Sequence, residues 1–376
     1  MDSRTTEAVL RAAQVEAATP APRVWLLLDD RPGHTTQVVG LAEALGWKYE
    51  VKELRFTRLN RLSNRLLGAS RLSLDSRHST ELSPPWPDIV IAMGRRTAPI
   101  ARWIKRQSKG RTKLVQLGRK AANVAGDFDL AVTCAHFQQP PHPRRFQLLL
   151  PPTQVTPARL QEAAERWPDL FGDADRPRVA LLVGGTTAHH RLTPETAALM
   201  AAEVAAFARN LGGSLTCVTS RRSGAAVEQA LQQGAPSAKM HFWRRGETAN
   251  PYLGYLAQAD VLVVTGESES MLAEAAAAAK PLYVYPIPAR KPSLTTRLAG
   301  RVLAGAGRGG PLARFCEGLI QNGLVVPPRD LALMHRGMIE AGVAQQFGDD
   351  QAPPNDPQPL DLAELSGRVR QLLESN

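Results

Sequence analysis

VLVVTGESESMLAEAAAAAKPLYVYP, residues 261–286, carries the pattern that decides the fold. An apolar run at 261–265 ends in the polar loop Gly266-Glu267-Ser268-Glu269. An alanine-rich segment at 270–279 follows, and Lys280-Pro281 turns the chain into a second apolar run at 282–285. Short apolar runs without alternation belong to strands buried on both faces, and a helix between two of them makes the neighbours parallel.

Outward from this unit the pattern repeats. Apolar runs at 179–183 and Ser214–Thr219 precede it. Between them an amphipathic stretch at 195–210 opens on Thr193-Pro194, an N-cap with a first-turn proline. A further helix fits 224–233. Nearer the start, strands at Val24–Leu28, 49–54, Ile89–Met93, Lys113–Leu117 and Leu130–Cys134 alternate with helices at 37–45, stopped by Gly46, and at 97–107. Arg31-Pro32-Gly33-His34 reads as a loop. Prolines crowd between the two series, from Pro140 to Pro157. The sequence therefore predicts an α/β chain of two Rossmann-type parallel-sheet domains facing across a cleft. Its 376 residues suit two domains better than one. The expected divisions are a disordered leader at 1–20, an acceptor domain at 21–150, a linker at 151–177, a nucleotide domain at 178–335, and an acidic, proline-rich segment with a closing helix at 336–376.

The net charge of +11 favours anionic partners, although abundant arginine also serves solubility. Cys134, Cys217 and Cys316 are far apart and show no paired spacing, which argues against a zinc site or a disulfide framework. No apolar stretch is long enough to span a bilayer. Asp2, Glu7 and Glu16 in the leader fit neither a secretory signal nor a transit peptide, so the expected location is cytoplasmic.

Ligands of open α/β sheets bind at the carboxyl ends of the strands. Four sites fall there. In the 261–286 unit, loop amides and a helix N-terminus favour a phosphate, Ser268 and Ser270 can donate to it, and Met271 belongs to the same turn. Glu274, one turn further, suits the two hydroxyls of a ribose. The alternative is an ordinary acid-capped helix, with Glu267 and Glu269 favouring the dipole. Gly184-Gly185-Thr186 after the strand at 179–183 lets a backbone approach a pyrophosphate or a sugar, and Arg221 after the next strand can counter a phosphate. His34, after Asp29 and Asp30, is placed as a general base on an acceptor hydroxyl, with either aspartate as the alternative base or His34 as a structural residue. Gly33, Gly94, Arg95 and Arg96 complete an acceptor side in which the two arginines clamp an anion. Arg55, Arg58, Arg61 and Arg65 recur at helical spacing beside Leu59, Leu62 and Leu66, as in an interfacial helix on anionic lipid or in a solvated helix face. Phe56 is the one aromatic among these arginines, a scarcity that disfavours nucleic acid.

The segments DDRPGHTTQVVGLAEALG, PDIVIAMGRRTAPIARWIKR, LLVGGTTAHHRLTPE, TSRRS and ETANPYLGYLAQADVLVVTGESESMLAEAAAAAKPLYVYPIP, in this order, resemble the elongated-mitochondria fission-protein family and its bacterial relatives. The resemblance runs from about residue 24 to 330. It implies a GT-B-like fold. For plant members it implies attachment to the mitochondrial surface and recruitment of a dynamin-related protein, and for bacterial members sugar transfer. A more distant similarity is to the lipid-II-forming N-acetylglucosaminyltransferase family, through Gly33-His34 and through Glu274 to Ala278 followed by Lys280-Pro281. It makes His34 an acceptor-side residue and Glu274 the ribose ligand. This chain departs from that family in carrying Glu267 and Glu269 where the family is neutral, and Asp29-Asp30-Arg31-Pro32 where it has mostly glycine.

The function expected from the sequence is transfer of a sugar from a nucleotide-diphosphate sugar to a hydroxyl acceptor, at an anionic membrane surface or on a lipid-linked acceptor. No metal or further cofactor is expected from the sequence. The alternatives are a non-catalytic scaffold and a nucleotide-sugar epimerase on the same fold.

Overall fold

The computed structural model describes residues 21–119, 124–247, 249–349 and 362–374. The leader expected at 1–20 and the acidic stretch at 350–361 lie outside the described residues. Two six-stranded sheets, parallel throughout, build the molecule.

The first sheet contains β1 (Val24–Leu28), β2 (Tyr49–Glu53), β3 (Ile89–Met93), β4 (Lys113–Leu117), β5 (Leu130–Cys134) and β6 (Arg145–Leu148), in the order β2-β1-β3-β4-β5-β6. Helices α1 (Pro32–Leu45), α2 (Asn64–Leu67) and α3 (Ala98–Gln107) accompany it. After α4 (Pro157–Arg166), the second sheet takes β7 (Arg178–Val183), β8 (Ser214–Thr219), β9 (Lys239–His241), β10 (Val261–Thr265), β11 (Leu282–Tyr285) and β12 (Gln345–Gln346), in the order β12-β11-β10-β7-β8-β9. Its helices are α5 (Pro194–Asn210), α6 (Ala225–Gly234), α7 (Tyr252–Gln258), α8 (Glu269–Ala277), α9 (Leu294–Ala306), α10 (Gly310–Gln321) and α11 (Leu331–Glu340). The closing helix α12 (Ala363–Glu374) returns to the first sheet. This is the GT-B-like arrangement of two Rossmann-type sheets.

The strands β1, β3 and β5 are buried at every position, as their unbroken apolar runs require. Each sheet has a core on both faces. In the first half, one face packs Val24, Leu26, Ile89 and Ile91 under α1 and α12, and the other packs Trp25, Leu27 and Val90 under α3. Leu365 and Val369 of α12 are fully buried there, and the Arg370 guanidinium donates to the Leu45 carbonyl at 2.6 Å. Burying a leucine or valine contributes about 1.5–3 kcal/mol, so α12 is an integral part of the first half.

Two local readings change. Arg31-Pro32-Gly33-His34 is not a loop: the helix starts at Pro32, so His34 sits in its first turn. Proline at the first helical position costs nothing, because its missing N–H has no partner there in any helix. The arginine segment is not one helix either. It is a 3-10 turn at Arg58–Arg61, then extended backbone at Leu62 and Ser63, then α2. The Thr57 hydroxyl caps the first turn and the Ser63 hydroxyl caps the second, which breaks the stripe in two.

Candidate functional site

The carboxyl ends of β1 and β3 face those of β7 and β10 across a cleft of about 650 Å³. From the first half come Arg31, Gly33, His34, Gly94, Arg95, Arg96 and Arg119, and from the second Thr187 to His190, Arg222, Glu267, Glu269, Ser270 and Arg329. Six arginines oppose two glutamates, so the walls carry excess positive charge. Burial and then the Arg329 charge lower the pKa of Arg119, with Glu269 only partly opposing them. A ligand carrying several negative charges relieves that crowding.

His34 is the best-defined chemical group in the cleft. Asp29, the last buried residue at the strand end, lies five residues before it, and its Oδ1 is 2.9 Å from His34 Nδ1. The aspartate side chain is 1% exposed and the histidine side chain 18%. The Arg31 amide also donates to Asp29 Oδ1. With Nδ1–H donating to the carboxylate, Nε2 is left as the basic nitrogen. Gly94 makes room for the ring. At φ +85, a β-carbon there would stand 2.6 Å from His34 Cε1. Asp30 points elsewhere: it is exposed and holds Arg96 at 2.7 Å. Arg95 donates to the Leu62 carbonyl at 2.6 Å and also to that of Asn60, so this guanidinium is spent on fixing the 58–62 segment.

On the opposite wall the glycine loop is occupied from within. The Gly184 amide donates to Thr265 Oγ1 at 2.9 Å, and the Gly185 amide to Glu267 Oε1 at 2.6 Å. Burial raises the Glu267 pKa, while that amide and the Arg222 charge pull it down. Arg222 donates to Ser268 Oγ at 2.9 Å and lines the cleft, whereas Arg221 is exposed and lies outside the lining residues. Thr186 bonds locally to the backbone of Leu192. Ser270 lines the cleft, and Met271 is buried in the core behind it.

Sequence reasoning missed the residues that join the halves. Glu269, in the first turn of α8, lies 3.3 Å from Nε2 of the buried His136 and 3.2 Å from Arg329. Burial would raise the Glu269 pKa, but His136, Arg329 and Arg119 together hold it below the usual value. Cys134, His136 and Glu269 bring donor atoms within 4.8 Å of one another, a set that suits a borderline-soft cation, although two guanidiniums compete for the same carboxylate. No residue pattern in the sequence could have joined them, since they come from opposite halves.

Glu274 is not among the cleft-lining residues. It is partly buried beside Tyr252, and burial raises the Glu274 pKa to about 7, with the Tyr252 hydroxyl opposing that rise. Below about pH 4.5 this carboxyl is protonated in both folded and unfolded chains. As pH rises through about 7 the unfolded chain has released a proton that the folded one still holds, and stability falls. Glu274→Gln is expected to remove that fall and to gain on the order of 2–3 kcal/mol at pH 8 relative to pH 5. Urea midpoints of both proteins at the two pH values measure it, and parallel behaviour would exclude a buried ionising Glu274.

The profile of the family described as "Mitochondrial fission ELM1" matches residues 32–304. The Mitochondrial fission protein ELM1 of Arabidopsis thaliana is 28% identical over 221 residues, which is 53% of this chain and 51% of that protein. The chain thus matches about half the length of this relative. An uncharacterized protein of Rickettsia prowazekii is 24% identical over 307 residues, 70% of this chain and 82% of that one. Among solved structures, the UDP-GlcNAc 2-epimerase of Methanocaldococcus jannaschii superposes with a TM-score of 0.48 at 10% identity, over 94% of this chain and all of the other.

Proposed function

The chain belongs to the mitochondrial fission ELM1 family, and on that premise we propose that it is a glycosyltransferase working in the cleft between its two sheets. The observation that carries this reading is the His34–Asp29 pair in a cleft whose walls together carry excess positive charge. The reaction needs both. A hydroxyl acceptor loses its proton to His34 Nε2 as it attacks the sugar carbon, and the bond from that carbon to the diphosphate breaks. The leaving diphosphate takes the electron pair, and Arg119, Arg222 and Arg329 with the first-turn amides of α8 stabilise the charge that develops on it. Because the amides of Gly184 and Gly185 already have acceptors, arginines carry the role that the glycine loop was expected to fill. The exposed arginines at 55–65 support a reading in which the acceptor side works next to an anionic membrane surface.

The experiment is calorimetry of the full chain against a panel of nucleotide-diphosphate sugars, followed by assay of transfer. Micromolar binding of at least one, followed by turnover, supports the enzyme. Absence of binding to every member would leave the scaffold reading. Turnover of the sugar donor at its own ring without an acceptor would make the protein an epimerase. The Glu274→Gln variant separates a further point. A loss of nucleotide affinity beyond about tenfold makes Glu274 a ribose ligand, and an unchanged affinity restricts it to the interior beside Tyr252.

A further inference from the structure

The longest excursion from the second sheet is the hairpin of α9 and α10, between β11 and α11. Its two helices pack on each other through Gly305 and Cys316, and a β-carbon on Gly305 would stand 2.7 Å from Cys316 Sγ. Gly305 is the one buried residue of α9. The outer faces are apolar and uncovered: Leu294 is 69% exposed, Phe315 is 64% exposed, and Leu298 and Leu312 are exposed with them. Residues 288–316 contain six basic side chains, all exposed, and no acid.

The segment at 55–74 of the first half has the same character. It carries five exposed arginines and no acid, with Leu62 and Leu66 uncovered. The two segments meet: the Arg65 guanidinium donates to the carbonyl of Asn322, which caps the end of α10, at 2.7 Å. Two stretches more than two hundred residues apart thus bring exposed leucines and exposed arginines side by side, and of the arginines at 55–74 Arg55 is paired with an acid, Glu53.

We infer that the α9–α10 hairpin and the 55–74 segment together form one surface that docks on an anionic lipid bilayer. Large apolar side chains enter the interface while arginines on the same helices meet lipid phosphates with their stems along the apolar boundary. A second copy of the chain is a poor occupant, since the face would meet its own positive charge. No helix among the described residues is long and apolar enough to cross a membrane, so attachment here is peripheral. This inference extends the membrane reading of the arginine segment and does not depend on sugar transfer.

The test is co-sedimentation of the full chain with phosphatidylcholine vesicles, with and without phosphatidylglycerol, at low and high salt. Two variants accompany it: L294S/L298S/L312S/F315S, and R58E/R61E. All substituted side chains are exposed, and thermal melting checks that the variants stay folded. Wild type is expected to bind only the anionic vesicles and to dissociate with salt. The hairpin variant is expected to lose at least about tenfold in partitioning, with nucleotide-sugar affinity unchanged. If only R58E/R61E loses binding, the hairpin has no part in docking and the inference falls while the membrane reading of the arginines stands. If wild type ignores both vesicles, or binds neutral ones equally, both fall. A dimer in sedimentation velocity that the hairpin variant abolishes reassigns the face to a protein contact.

Discussion

His34→Ala is expected to lower turnover by about a hundredfold or more while leaving nucleotide affinity within about twofold, the usual signature of losing a positioned general base. The split follows from the geometry. His34 belongs to the first half and is fixed by Asp29 behind it, while the groups placed to hold a diphosphate, Arg222, Arg329 and the start of α8, belong to the second, with Arg119 of the first half beside them. Asp29→Asn is expected to cut turnover as well. An amide at that position can donate to Nδ1 and favour the tautomer whose Nε2 carries the proton. Asp30→Ala is the control, because Asp30 is exposed and engaged with Arg96. The measurement is initial rate and calorimetric affinity on the same preparations. If turnover survives in His34→Ala, the base lies elsewhere. If nucleotide affinity falls with it, His34 touches the donor.

Gly185→Ala is expected to lower stability by about 3 kcal/mol or more, a melting shift of roughly 4 °C or more at this chain size. Gly185 sits at φ +136, where residues with a β-carbon are strained, and a β-carbon there would be 2.3 Å from the Arg222 carbonyl oxygen. Backbone cannot step aside as a side chain can. The same displacement would pull the amide from Glu267, leaving a buried carboxylate with less support. Gly33→Ala is the contrast. No atom lies within 4 Å of its added carbon and its backbone is helical, so its melting point is expected to stay level or to rise slightly. Equal melting points for the two variants would show that the close approach at Gly185 has been misread.

The central strands were legible because burial on both faces leaves an unmistakable run, as in Ile89–Met93 and Val261–Thr265. The edges were not. β6 reads RFQL, β9 KMH and β12 QQ, short pieces with solvent on one side that no local pattern distinguishes from loop. Sequence also foresaw the first wall of the cleft, because His34, Gly94 and Arg95 follow directly on strand ends, where ligand sites form. It did not foresee Arg119 and Arg329, which reach the cleft from connections whose path is set by the packing of the two halves, nor the buried His136 that meets Glu269. The internal pairing of Gly185 with Glu267 was equally invisible, since it joins loops after two different strands. A glycine pair looks the same in sequence whether its amides await a phosphate or already hold a carboxylate.

The return of α12 to the first half means that the chain crosses between the halves twice, once near residue 150 and once between β12 and α12. A body on a single tether can swivel in any direction. One on two tethers keeps a single easy rotation, about the line through both, as a door does on two pins. Threading of this kind favours closure of the cleft over a free swivel of its walls, and closure would present His34 to the same residues of the opposite wall each time.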